Sequence, residues 1–168
     1  EEIDKSFHTL EGSPAPMGHP IVKGKYVSAN HPEAYMFTSG AVNRNVKKDG
    51  DRISLEKWID KAFAERNHPQ LVKAINEGKP IHTSTGLVLE LVEVNEEDHK
   101  YVGKNMEFDH DAILLLEQGA ATPDQGVGIF VNAEGEETEV IESTLYSDKE
   151  NAIRQALSAK DEDAWLID

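Results

Sequence analysis

Glycine, proline and asparagine interrupt this chain so often that only short pieces lie between them. Most of those pieces carry the β-branched and aromatic residues, or the polar–apolar alternation, of strands. Residues 12–20, Gly-Ser-Pro-Ala-Pro-Met-Gly-His-Pro, set three prolines and two glycines in nine positions. That composition removes backbone donors and rules out a helix, leaving a loop or an edge. Ala41–Val46 and Arg52–Ile59 then flank Lys47-Lys48-Asp49-Gly50-Asp51, where Asp-Gly is a hairpin signal.

Leu71, Val72 and Ile75, closed by Gly78 and Pro80, predict a short helix over about 68–77. Ile81–Thr83 and Leu87–Val94 read as two strands interrupted at Ser84-Thr85-Gly86, and further strands are expected over about 100–108 and 112–116. Gly128–Asn132 with Glu137–Ile141 reads as another hairpin, and Ser147 or Asp148 as the cap of a helix bearing Ala152, Ile153, Ala156 and Leu157. The expectation is an α+β, β-rich domain. A rolled sheet or barrel of about six to eight strands, with two or three flanking helices, is the economical way to hide the strand edges.

A length of 168 residues suits one domain spanning 1–168. The closing Ala164-Trp165-Leu166-Ile167-Asp168 reads as the start of a further buried segment, so a fragment of a longer product is expected. No apolar run approaches the roughly 20 residues that cross a bilayer, and no basic-then-apolar leader is present, so no membrane partner is expected. Seventeen Lys and Arg against 32 Asp and Glu give a net charge of -15, which argues against nucleic acid as a partner. Residues 1–84 hold 12 basic and 11 acidic side chains, whereas residues 85–168 hold 5 and 21. The second half is an acidic surface, suited to solubility or to docking a basic partner.

The chain contains no Cys, which excludes disulfides, thiolate metal sites and a Cys nucleophile together. No His-x-x-x-His or His-x-His pair occurs, so no metal is expected; phosphate-binding and dinucleotide-binding glycine motifs and the Gly-x-Ser-x-Gly elbow are absent too, and no cofactor is expected. What remains is Ser and His chemistry. His19 lies between Gly18 and Pro20, where the backbone is constrained on one side and free to turn on the other. Ser84 sits at the junction of two expected strands beside Gly86, and His110 precedes the apolar run Ala112-Ile113-Leu114-Leu115-Leu116. Each alone reads more readily as a turn or a surface residue than as a catalytic group. His8, His31, His68, His82 and His99 receive no catalytic role; His31 and His68 lie in Asn-His-Pro turns that open helical segments.

Three blocks in order resemble the prohead maturation proteases of tailed bacteriophages, which share a fold with the herpesvirus assembly protease. They are Ala15-Pro16-Met17-Gly18-His19-Pro20, Gly78-Lys79-Pro80-Ile81-His82-Thr83-Ser84-Thr85-Gly86-Leu87 and Phe108-Asp109-His110-Asp111-Ala112-Ile113-Leu114-Leu115. The resemblance covers roughly residues 8–168 and implies a serine endopeptidase with His19 as general base, Ser84 as nucleophile and His110 as the third, orienting member. The intervals, 65 residues from His19 to Ser84 and 26 from Ser84 to His110, resemble those of the herpesvirus group. A neutral His110 orients less strongly than a carboxylate, which implies a slow enzyme. Asp109 and Asp111 flank His110, and either could take its place.

The pattern departs from herpesvirus enzymes after the third member, where Leu116-Glu117-Gln118-Gly119-Ala120-Ala121 carries no Arg. Backbone N–H groups of Gln118 and Gly119 are the expected oxyanion donors. The implied substrates are phage scaffold and major capsid proteins, cut in the host cytoplasm inside the immature head, with room for a homodimer. The alternative is a structural head protein that keeps the fold without chemistry.

Overall fold

The computed structural model describes residues 1–94 and 99–130. Its elements run α1 (Glu2–Ser6), β1 (Ile21–Val22), β2 (Lys25–Tyr26), β3 (Ala41–Asp49), β4 (Arg52–Ile59), α2 (Lys61–Asn67), α3 (Pro69–Asn76), β5 (His82–Glu93) and β6 (Tyr101–Leu114). Short 3-10 turns cover Phe7–Leu10, Pro32–Phe37 and Pro123–Gln125. The class is α+β, as expected. The six strands form three antiparallel pairs, β1–β2, β3–β4 and β5–β6, and among the described residues they do not close into a barrel. The expected hairpin partner 137–141 and the helix after Asp148 lie outside the described residues.

The helices follow their local signals. Asp60 caps α2 by accepting from the Phe63 N–H at 2.9 Å, and Pro69 opens α3. Leu71, Ala74 and Ile75, spaced i, i+3, i+4, turn one face of α3 onto a core of Ala15, Ala41, Ile81 and Ile113. Leu71 and Ile113 are fully buried, each worth about 1.5–3 kcal/mol relative to exposure. The sequence reading places a helix at α3 but assigns none to Lys61–Asn67, where α2 stands.

Two expected interruptions are absent. β5 runs unbroken through Ser84-Thr85-Gly86, and β6 runs unbroken through Asp109-His110-Asp111. The pairing shifts between them: Gly86 faces His110 but Leu87 faces Phe108, so Asp109 is an extra residue. It forms a β-bulge, which bends the strand without ending it. The broken alternation that resembles a strand end in sequence is this bulge.

Residues 12–18 form no regular strand, as expected of a loop, but they are hydrogen-bonded on both sides. Gly12 and Ala15 donate to the carbonyls of Asn43 and Ala41 at 2.8 and 3.0 Å, and Asn43 donates back to Ser13 at 2.9 Å. On the other side Asp111 and Ile113 donate to Pro14 and Pro16 at 3.2 and 2.8 Å, and Gly18 donates to Ile113 at 3.0 Å. The segment thereby stitches β3 to β6, with Met17 and Ile113 parallel. Prolines fit because their carbonyls still accept.

One carbonyl is left over. By the pattern at Ile113, an amide at position 16 would donate to Asp111, and Pro16 has none. Lys57 Nζ supplies the donor at 2.9 Å, and also meets Asp111 Oδ2 at 2.6 Å and Asn43 Oδ1 at 3.0 Å. Burial pushes the Lys57 ammonium below its ordinary value, while the adjoining Asp111 carboxylate opposes that fall.

Candidate active site

Three segments far apart in sequence bring His19, Ser84 and His110 together. His19 follows directly on the stitching segment, after Gly18, whose φ of 74° turns the chain out of the sheet. Ser84 lies within β5 opposite Ala112, and His110 lies on β6 opposite Gly86. Directly paired residues and those two apart share a face, so Ser84, Gly86, His110 and Ala112 occupy the same side of the hairpin.

The contacts form a chain. His19 Nε2 is 2.8 Å from Ser84 Oγ, and His19 Nδ1 is 2.8 Å from His110 Nε2. His110 Nδ1 lies 2.7 Å from Asp109 Oδ2, a meeting of sequence neighbours that regular alternation would forbid and the bulge permits. Asp109 is held further by the Ser28 hydroxyl on Oδ1 and by the Ala29 N–H at 2.7 Å on Oδ2, both from the loop after β2. Asp111 does not join this chain; its carboxylate is committed to Lys57.

Burial deepens along the chain. Ser84 and His19 are half-buried and reachable from solvent, whereas His110 is 5% exposed and depends on protein partners. Burial, and then the adjacent His110, lower the His19 pKa from its ordinary 6.5, while the charges of Glu117 and Asp111 partly oppose this. His19 is thus biased toward the neutral form that can accept a proton. At Asp109 burial pushes the carboxyl up, but hydrogen bonds from His110, Ser28 and the Ala29 amide outweigh it and hold the group below its ordinary value.

Gly86 has a spatial role that sequence reasoning did not assign to it. The His110 ring lies over its Cα, so an added Cβ would sit 2.5 Å from Nε2 and 2.6 Å from Nδ1, and nearer still to Cε1. Only a residue without a side chain lets the ring lie there. The Ser-Thr-Gly order was visible in sequence; the reason for the Gly was not.

The expected oxyanion donors sit on the segment after β6. Gly119 is buried with its Cα against the Thr83 carbonyl, and its N–H is directed at His82 Nδ1 over a long 3.4 Å. Gln118 is exposed. His31 accepts from the Glu33 N–H at 3.2 Å as a helix cap, and His68 Nε2 lies 2.7 Å from the Thr38 carbonyl, both remote in function from Ser84. Among the described residues no cluster of three His, Asp or Glu is arranged to hold a metal ion, and no helix is long and apolar enough to cross a membrane. Compared with protein-family models, curated proteins and solved structures, the chain has no significant match.

Proposed function

We propose that this protein is a serine endopeptidase of the prohead-maturation type. The observation that carries the reading is the Ser84–His19–His110 chain, two contacts of 2.8 Å joining residues 65 and 91 positions apart. A serine hydroxyl is a poor nucleophile near neutral pH and needs a base within about 2.6–3.2 Å. His19 meets that distance, and its lowered pKa favours the free base.

In this reaction Ser84 Oγ attacks the scissile carbonyl as His19 Nε2 takes the hydroxyl proton. The tetrahedral intermediate collapses as His19 returns that proton to the leaving amine, and an acyl-Ser84 ester remains. Water then repeats the two steps and frees the serine. His110 touches no reacting atom; it is a positioning residue that fixes the far nitrogen of His19. The N–H groups of Gln118 and Gly119 are the donors assigned to the oxyanion in this reading, and Gly119 would have to release its weak contact with His82 to serve.

The substrates in this reading are scaffold and major capsid proteins of a tailed phage, processed inside the immature head in the host cell. The support is the resemblance of the three ordered blocks together with their convergence at one point. The test is labelling with a fluorophosphonate probe, wild type beside Ser84→Ala, followed by peptide mapping. The expected result is a modified peptide containing Ser84 that is absent from the variant. A folded wild type that stays unlabelled near pH 8 would instead favour a structural head protein.

A further inference from the structure

We infer that Asp109 is a positioning residue that sets the direction of every proton in the chain, and so decides whether His19 faces Ser84 as a base or as a donor. The inference deepens the serine-hydrolase reading and rests on it only for its activity arm.

Donor and acceptor capacities fix the hydrogens along the chain one after another. Asp109 faces three groups: the Ser28 hydroxyl, the Ala29 N–H and His110 Nδ1. A backbone amide can only donate, so the oxygen it shares with His110, Oδ2, is an acceptor. At 2.7 Å His110 Nδ1 must then carry the hydrogen. A neutral imidazole has one N–H, so His110 Nε2 is left with a lone pair. His19 Nδ1, 2.8 Å away, must donate to it, and His19 Nε2 becomes the acceptor of the Ser84 hydroxyl proton.

Without the carboxylate the opposite arrangement is equally available. His110 can place its hydrogen on Nε2 and donate to His19 Nδ1; His19 then carries hydrogen on Nε2 and points a donor at Ser84. That state cannot take the serine proton. Two neutral imidazoles in series contain no preference between these directions, because each ring only transmits what its neighbour imposes. A group that accepts but does not donate must stand at one end. Asp109 stands there, and the bulge that makes it adjacent to His110 is the structural feature that allows it.

The loop after β2 anchors the anchor. Ser28 Oγ donates to Asp109 Oδ1 and accepts from the Asn30 N–H at 3.1 Å, so the carboxylate is also held at the oxygen that does not meet the imidazole. With two donors besides His110, the carboxylate cannot rotate away without leaving them unpaired.

The experiment measures the imidazole tautomers directly, by nitrogen-15 NMR of histidine-labelled protein near pH 8, and in parallel the rate of fluorophosphonate labelling at Ser84. Wild type should carry hydrogen on Nδ1 of both His19 and His110. In Asp109→Ala, His19 should acquire a substantial Nε2–H population, and labelling should slow about 10²–10⁴-fold, the range for losing correctly oriented base catalysis. Asp109→Leu keeps a similar bulk without any acceptor and serves if the Ala variant does not fold. Retention of the wild-type tautomers in the folded variants would overturn the inference whatever the labelling rate. An unlabelled wild type would instead count against the hydrolase reading, with the tautomer measurement still deciding the role of Asp109.

Discussion

Replacing Gly86 by Ala tests the site through a single methyl group. The added Cβ would lie 2.5 and 2.6 Å from the two ring nitrogens of His110, whereas ordinary contacts of such atoms lie above about 3.4 Å. Gly86 is not in the left-handed region, so the cost is one of space and not of backbone strain. An overlap near 1 Å exceeds what side-chain relaxation by a few tenths can absorb. Either the His110 ring leaves its place between Asp109 and His19, or β5 and β6 part at the bulge. Overpacking of this kind costs about 1–3 kcal/mol of stability. In the proposed reaction the labelling rate should suffer more, because displacing the ring would disconnect His19 from the group that orients it and remove about 10²–10⁴-fold in rate, or about 3–5 kcal/mol.

The assay pairs a thermal melt with the rate of fluorophosphonate labelling, and Gly103→Ala on the neighbouring stretch of β6 is the control. There an added Cβ meets only Leu89 methyl carbons at 3.6 Å, an ordinary contact, so melting and labelling should both stay close to wild type. A folded Gly86→Ala protein that labels at the wild-type rate would refute the placement of His110 over Gly86, and with it the reason for a glycine in the Ser-Thr-Gly block.

Four other outcomes follow from the structure. Lys57→Met should destabilise the fold by about 3–5 kcal/mol in urea unfolding, since it strands the buried Asp111 carboxylate and the carbonyl that Pro16 cannot serve. In the proposed reaction the labelling rate of wild type should fall as pH drops, with a midpoint below 6.5, because the base His19 would have to be neutral and its folded pKa is lowered. The same shift makes the His19 contribution to stability full above about pH 6.5 and lost as pH falls through the folded value, so His19→Gln should flatten that part of the stability–pH curve. Asp60→Ala removes the side-chain cap of α2 and should cost about 1 kcal/mol in thermal unfolding while leaving labelling unchanged.

Much of the architecture is local and was therefore legible. The strand-forming pieces, the helix at Pro69–Asn76 with its Gly stop, and the hairpin around Gly50 depend on neighbouring residues, and they stand where patterning puts them. The reading failed where local signals carry two meanings. Gly86 looks like a strand breaker but is the clearance for an imidazole from another strand, and the break in alternation at Asp109 looks like an end but is a bulge. Prolines 14 and 16 look incompatible with a sheet interior, yet a remote Lys57 supplies the hydrogen bond that Pro16 cannot donate.

The sequence by itself determined the chemistry available to this protein: no thiol, a His, a Ser and a His in that order, and strand-forming segments around them. Which nitrogen faces which oxygen was decided by tertiary structure alone. Hydrogen bonds of 2.8 Å between residues 65 and 91 positions apart have no local cause. They exist because residues 12–18 are drawn between β3 and β6, which delivers His19 to the face where Ser84 already stands, and because one extra residue in β6 turns Asp109 onto His110. Side-chain type is written residue by residue, but the direction of a proton relay depends on the whole set of partners at once.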